Sequence, residues 1–423
     1  MPAISPSPAM TVRRFLFSTR SLVLFVLTSA VMGAGLDGVV SSAAYLFSRR
    51  SPSGDELLHL RMHESFRLTY RPAGLENLRI EASGVTYLDP LNRATQGDPA
   101  FFLYGASVQY RRLLSLLDVT AGRFFVYDPS NAARIDGLKI AGSLPRGMTY
   151  TLYGGGFVQG AGEMSNPVHD HLVGLHISVP LWSRTVVDLA VSQKALERET
   201  YRRDITPIEV PDLAERRLGI QVNTTFRSWT LFLRVVEDLQ HIETQDANLA
   251  LNGSWGPFHR VTVEYLFRRP RIPYNSIFSV FDARTNQEIA LSGDMELTRR
   301  WQLFSRIRTV LLSDTSTVSV TVGGRTKAVS TSYRFQGGYG GTLHMVTLDG
   351  RYRPLPRWLI LGTLEGGRYD RLEGSWENLI TATGGFSYRP MKRLAVRMDV
   401  HLLQNRTYAA DSRLFVTVNY VLP

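Results

Sequence analysis

Residues 394–403 read LAVRMDVHLL, with Leu394, Val396, Met398, Val400 and Leu402 on every second position and Ala395, Arg397, Asp399 and His401 between them. Side chains of a β-strand alternate between its two faces, so this stretch has one aliphatic face and one face with three ionisable groups. The pattern recurs. In 217–228, Leu218, Ile220, Val222, Thr224 and Phe226 alternate with Gly219, Gln221, Asn223 and Thr225. In 172–182, Val173, Leu175, Ile177, Val179 and Leu181 alternate with Gly174, His176 and Ser178, and 229–236 and 261–269 behave alike. No 3.6-residue period is sustained anywhere, so the chain reads as all-β. A soluble sandwich would turn the aliphatic faces inward. A membrane barrel would turn them outward.

The turns separate the two. Segments 70–80, 110–119, 352–361 and 388–398 share an aromatic-Arg exit, in three cases followed directly by Pro, and a rapid re-entry into an apolar strand. Segments 181–187, 226–232, 256–263, 298–304 and 144–150 are variants, which makes nine short turns. Between them lie longer, more polar stretches at 48–57, 196–215, 268–288 and 312–341. Short turns at one end and long loops at the other are the layout of a transmembrane antiparallel up-and-down β-barrel of the bacterial outer membrane. Tyr, Trp and Arg at the short turns fit an aromatic girdle at headgroup depth. A propeller would show a constant blade-length repeat, and none is present. Nine turns with both termini at the short-turn end require about twenty strands, the first in 37–50 and the last in 412–422. Segment 312–341 is long enough to hide another hairpin, so the expected range is 18–22.

Composition narrows the function. The 423 residues contain no cysteine, which excludes disulfides, Cys-ligated metal, iron–sulfur clusters and covalent c-type haem on this chain. Of 48 basic residues only Lys139, Lys194, Lys327 and Lys392 are lysine, and the formal charge is +11. An arginine-rich surface suits anions or lipid phosphates. No basic run carries interleaved aromatics, so a nucleic-acid partner is not expected. Residues 13–34 combine Arg13, Arg14 and Arg20 with an apolar run from Ser21 to Met32 and small residues at Ala30 and Ala34, the pattern of a secretory signal peptide over residues 1–34. Its removal takes away three arginines and no acids and leaves residues 35–423, the barrel, at +8.

The chain closes with SRLFVTVNYVLP, in which Leu414, Val416, Val418, Tyr420 and Leu422 share one face. This resembles the terminal strand of outer-membrane β-barrel proteins. The resemblance implies an outer-membrane location in a Gram-negative bacterium, contact with outer-membrane lipid, and recognition of the strand by the barrel-assembly machinery through Tyr420 and the position held by Leu422. That position is aromatic in the family, and Pro423 follows it here.

If the aliphatic row faces lipid, the alternate positions face the lumen. Arg79, Glu81, Arg234, Glu264, Arg306, Arg308, Arg397, Asp399 and His401 are then candidate lumen-lining residues, with arginines favouring anions. A catalytic constellation is not apparent, and the chain is not expected to be an enzyme or to hold a cofactor or metal. His169, Asp170 and His171 read as a polar loop patch, and His401 beside Asp399 reads as a lumen pair. The glycine runs at 153–156 and 336–341 precede no helix, so they are not phosphate loops and instead mark bends or crowded lumen positions. Two functions fit. One is a passive channel for small solutes, with the arginines of the lumen pointing to anionic ones. The other is a scaffold that sheathes a multihaem cytochrome, since the chain is similar in size and style to the barrel component of porin–cytochrome conduits; any haem would belong to that partner. Loop 268–288, with Ile272, Ile277, Phe278, Val280 and Phe281, is apolar enough to fold inward as a constriction or grip a partner.

Overall fold

A computed structural model describes residues 35–50, 56–91, 100–158, 170–195, 200–203, 206–209, 215–269, 285–370, 374–404 and 411–422. Segment 1–34 and the apolar centre of loop 268–288 lie outside the described residues. Twenty-two strands form one closed antiparallel sheet. They are β1 (Leu36–Arg50), β2 (Glu56–Tyr70), β3 (Leu78–Leu88), β4 (Ala100–Leu113), β5 (Leu117–Tyr127), β6 (Ala132–Ser143), β7 (Thr149–Phe157), β8 (His171–Trp182), β9 (Thr185–Ala195), β12 (Glu215–Phe226), β13 (Trp229–Asp238), β14 (Glu243–Trp255), β15 (Phe258–Arg268), β16 (Asn286–Glu296), β17 (Gln302–Leu311), β18 (Ser316–Arg325), β19 (Val329–Gly338), β20 (Thr342–Tyr352), β21 (Trp358–Asp370), β22 (Trp376–Met391), β23 (Leu394–Gln404) and β24 (Asp411–Val421). A separate two-stranded ribbon, β10 (Thr200–Arg203) with β11 (Thr206–Glu209), stands in the β9–β12 connection. Each strand pairs with its neighbour, and β1 closes on β24 from Val39 opposite Val421 to Leu46 opposite Leu414.

All nine short turns read from the sequence join consecutive strands at one end. The tenth, Thr326–Ala328, joins β18 to β19 inside the segment read as a long loop. That hidden hairpin raises the count from about twenty to twenty-two, the upper limit of the expected range. In barrels of this kind the short-turn end is periplasmic and the long-loop end extracellular.

The two faces of the wall differ sharply. Val263, Leu291 and Ile307 stand directly opposite one another on β15, β16 and β17 and are 36%, 50% and 49% exposed. The next row on the other face is Glu264, Ala290 and Arg308. Across β21, residues 362, 364, 366 and 368 are exposed while 361, 363, 365 and 367 are half-buried. Aliphatic rows of this extent would drive aggregation in water, and they are the surface that lipid requires. Closure satisfies the backbone: within hydrocarbon an unpaired sheet edge would cost several kcal/mol per group. In β23 Val400 and Leu402 belong to the exposed row, and Arg397, Asp399 and His401 alternate with them. Leu422 departs from the pattern of β24. The strand ends at Val421, and Leu422 is buried beside Gly38, with its N–H donating to the Gly38 carbonyl.

Candidate pore constriction and its charged walls

One seam of the wall is incomplete. Strands β4 and β5 pair upward from their turn only as far as Ala106 opposite Arg123. Above that point β4 continues to Ala100 paired with β3, and β5 continues to Tyr127 paired with β6. Arg123 fills the break. Its Nε and Nη2 each donate to the Asp136 carboxylate at 2.7 Å, and Nη1 donates to the Leu103 carbonyl at 3.1 Å. Gly122, at φ +113°, supplies a backbone conformation that a side chain would strain.

Freed from β4, the upper half of the β5–β6 hairpin rolls over the lumen faces of β7 and β8. Phe124 and Val126 of β5, Ala133 and Ile135 of β6, Tyr153 of β7 and Leu172 of β8 form a small buried core, with Phe157 packed against it. A lumen is aqueous, so these side chains gain the ordinary hydrophobic stabilisation, roughly 1.5–3 kcal/mol for each fully covered large one. The turn at the tip, Asp128–Asn131, reaches beyond them to β9, β12 and β13. Asp128 organises it. Its Oδ1 accepts from the backbone N–H groups of Ser130 (2.8 Å) and Asn131 (2.9 Å) and from the Ser130 hydroxyl (2.7 Å), and its Oδ2 accepts from the Tyr153 hydroxyl (2.6 Å). Ser130 Oγ lies 3.0 Å from Ser192 Oγ on β9. Arg234 Nε on β13 donates to the Pro129 carbonyl at 3.0 Å. Pro129 and Ser130 lie directly over Gly219 of β12, where a Cβ would come within 2.3 Å of the turn backbone. Asp128, Ser130 and Ser192 are all buried.

Charged cavities lie at the two ends of the lumen. One, of about 580 Å³ beside the tip at the long-loop end, is lined by Arg217, Arg234, Arg268 and Arg269 against Glu215 and Asp246. The other, of about 730 Å³ at the short-turn end, is lined by Arg299, Arg300, Arg325, Lys327, Arg351 and Arg397 against Glu296, Asp349 and Asp399. Six cations thus face three acids there. Between them Arg306 donates to Glu264 (2.8 Å) and Arg308 to Glu288 (2.6 Å).

The candidate residues from the sequence fall into this frame unevenly. Arg79 with Glu81, Glu264 with Arg306, and Arg397 with Asp399 (2.7 Å) form ion pairs on the face opposite the exposed aliphatics. Arg308 finds Glu288, and Arg234 holds the arm. His401 packs its ring 4.9 Å from Phe415. Asp399 is engaged by Arg397. His169 lies outside the described residues, and among the described residues no group of three His, Asp or Glu is placed to hold a metal. The glycine run 153–156 marks a crowded lumen position, since a Cβ on Gly155 would meet the Asp136 carbonyl at 2.4 Å. The sequence reading missed the arm. Its signal is the run Phe124–Tyr127, apolar on both faces, in a protein whose other strands alternate. One of those faces, Phe124 and Val126, lies in the small core, while Phe125 and Tyr127 on the other stay exposed.

No family model matches the chain, and no curated protein does. Among solved structures, the P pilus usher (PapC) translocation pore superposes with a TM-score of 0.54 at 10% identity, covering 92% of this chain and 99% of that one. A chain of the E. coli P pilus tip assembly intermediate PapC–PapD–PapK–PapG matches with a TM-score of 0.54 at 9% identity over 91% of this chain and 61% of that one. A BenF-like porin from Pseudomonas fluorescens Pf-5 matches at 0.46 and 10% identity over 92% and 98%. Identity this low speaks for shared architecture alone. The closed sheet, its apolar exterior and its short-turn and long-loop ends make the protein a porin-like β-barrel of the Gram-negative outer membrane.

Proposed function

We propose that the protein is a passive channel for small solutes, selective for anions, whose bore is set by the inward-rolled β5–β6 arm. The observation that carries this reading is the pair of cationic cavities, one beside the arm tip at the long-loop end and one at the short-turn end. Barrels of 16–18 strands already leave an aqueous channel, and wider ones carry internal obstructions. A 22-strand wall therefore calls for a restricting element, and the arm is one. A solute entering at the long loops meets Arg217, Arg234, Arg268 and Arg269, passes the mixed pairs of β15–β17, and leaves through the basic mouth at the short turns. Acids neutralise only part of this positive lining, so a fixed potential favours anions over cations. The role so described is transport. In assembly, β24 with Tyr420 is the element offered to the barrel-assembly machinery. Nothing in the geometry favours the cytochrome-sheath reading, because the arm takes lumen space that a sheathed partner would need.

The test is the reversal potential of purified barrels in a planar bilayer under a potassium chloride gradient. The proposal expects a value on the chloride side. A cation-selective reversal potential would contradict it.

A further inference from the structure

The outer wall carries a second cationic feature, away from the lumen. His344 of β20, Arg368 of β21 and Asn378 of β22 stand in one cross-strand row. The row below is Val346, Gly366 and Ile380, with Val346 and Ile380 about half exposed, so these strands present this face to lipid. Gly366 has no atom near its missing Cβ, and the space it leaves deepens the wall into a groove of about 660 Å³. Tyr333 and Trp376 border it, and the Tyr333 hydroxyl lies 2.7 Å from His344 Nδ1.

The row sits at the long-loop rim. Arg368 is two residues from the end of β21 at Asp370, His344 is two residues from the start of β20, and Trp376 opens β22. Arg368 is exposed and forms no ion pair among the described residues. Asp370, on the same face, stands one strand repeat further out, roughly 7 Å along the strand, and makes no salt bridge with it. A lipid-facing arginine is tolerated at the interface because anionic headgroups surround it there, whereas at mid-depth it would be strongly disfavoured.

We propose that this groove binds the phosphate of a lipid headgroup in the outer leaflet. Arg368 supplies the charge-assisted contact and Asn378 and His344 further donors. Trp376 and Tyr333 flank the headgroup, and the exposed aliphatic wall at Leu364 and Ile360 receives the acyl chains. The site is independent of conduction.

The experiment is native mass spectrometry of the full barrel released from detergent with a phosphorylated glucosamine lipid, compared with the same lipid after enzymatic removal of its phosphates. The expected result is retention of the phosphorylated form about tenfold above the dephosphorylated one. Arg368→Gln should abolish that preference, Arg368→Lys should keep part of it, and Arg353→Gln at the opposite rim should leave it unchanged. Gel mobility of the unheated barrel confirms folding of each variant. Equal retention of the two lipids by the native chain, or an undiminished preference in Arg368→Gln, would overturn the proposal. Displacement of the lipid by millimolar inorganic phosphate would also overturn it, since the site would then take free phosphate.

Discussion

Gly219 and Asp128 hold the arm by opposite means, one by lacking a side chain and one by using every oxygen lone pair it can. At Gly219 any Cβ would fall 2.3 Å from the Pro129–Ser130 backbone. Gly219→Val should therefore unseat the tip without touching the outer wall, and single-channel conductance should rise. Asp128→Ala removes the acceptor for the Tyr153 and Ser130 hydroxyls and two backbone N–H groups, leaving buried donors unpaired at about 1–3 kcal/mol. Hydrogen exchange at residues 128–131 should accelerate by roughly one to two powers of ten, while amides of β12 and β13 keep their protection. Arg123 is a different case. It is buried in the seam and bidentate to Asp136, and Arg123→Ala removes both that ion pair and the donor to the Leu103 carbonyl where β4 and β5 part. A loss of about 3 kcal/mol in urea unfolding from lipid vesicles is expected. At this scale the sequence was legible where charge alternates with aliphatics, as at Arg397 and Asp399. It was silent on Gly219 and Asp128, because their importance arises only when a turn from distant strands lands on them.

Elements were more legible than contacts. Nine of the short turns announce themselves by an aromatic residue, an arginine and an immediate return to aliphatics. The tenth, between β18 and β19, does not. Its strands, STVSVTVGGR and VSTSYRFQGG, are rich in Ser, Thr and Gly, so they lack a dense aliphatic row and read as loop until their register places Val318, Val320 and Val322 in one line. The β5–β6 hairpin was hidden for the converse reason. Its turns are ordinary, and only the doubly apolar run at Phe124–Tyr127 shows that it has a cover of its own. Two outcomes belong to this scale. Val400→Arg, on the lipid row near the middle of β23, should cost about 2–4 kcal/mol in vesicle unfolding, whereas Asp399→Asn on the other face should cost far less. Replacing residues 124–135 by a short Gly-Ser turn should leave the barrel folded, since β4, β5, β6 and β7 keep their lower pairings, and should enlarge the pore.

For the whole molecule, alternation gave all-β, and turn asymmetry gave a barrel with two unlike ends. Closure of β1 on β24 follows, because an open edge cannot persist in lipid. What a one-dimensional reading could not supply is the interior. Lumen properties depend on which side chains meet across the bore, and the arm is a tertiary event. The cationic cavities at the two ends of the lumen gather their charged residues from eight strands and three connections, spaced so far apart in the chain that no motif links them.

The most direct test of this account is single-channel recording of the native barrel beside the variant lacking arm residues 124–135. The account predicts a small anion-selective conductance for the native protein and a several-fold larger, less selective one for the variant. An unchanged conductance, or a native barrel that does not conduct while its armless form does not either, would contradict it.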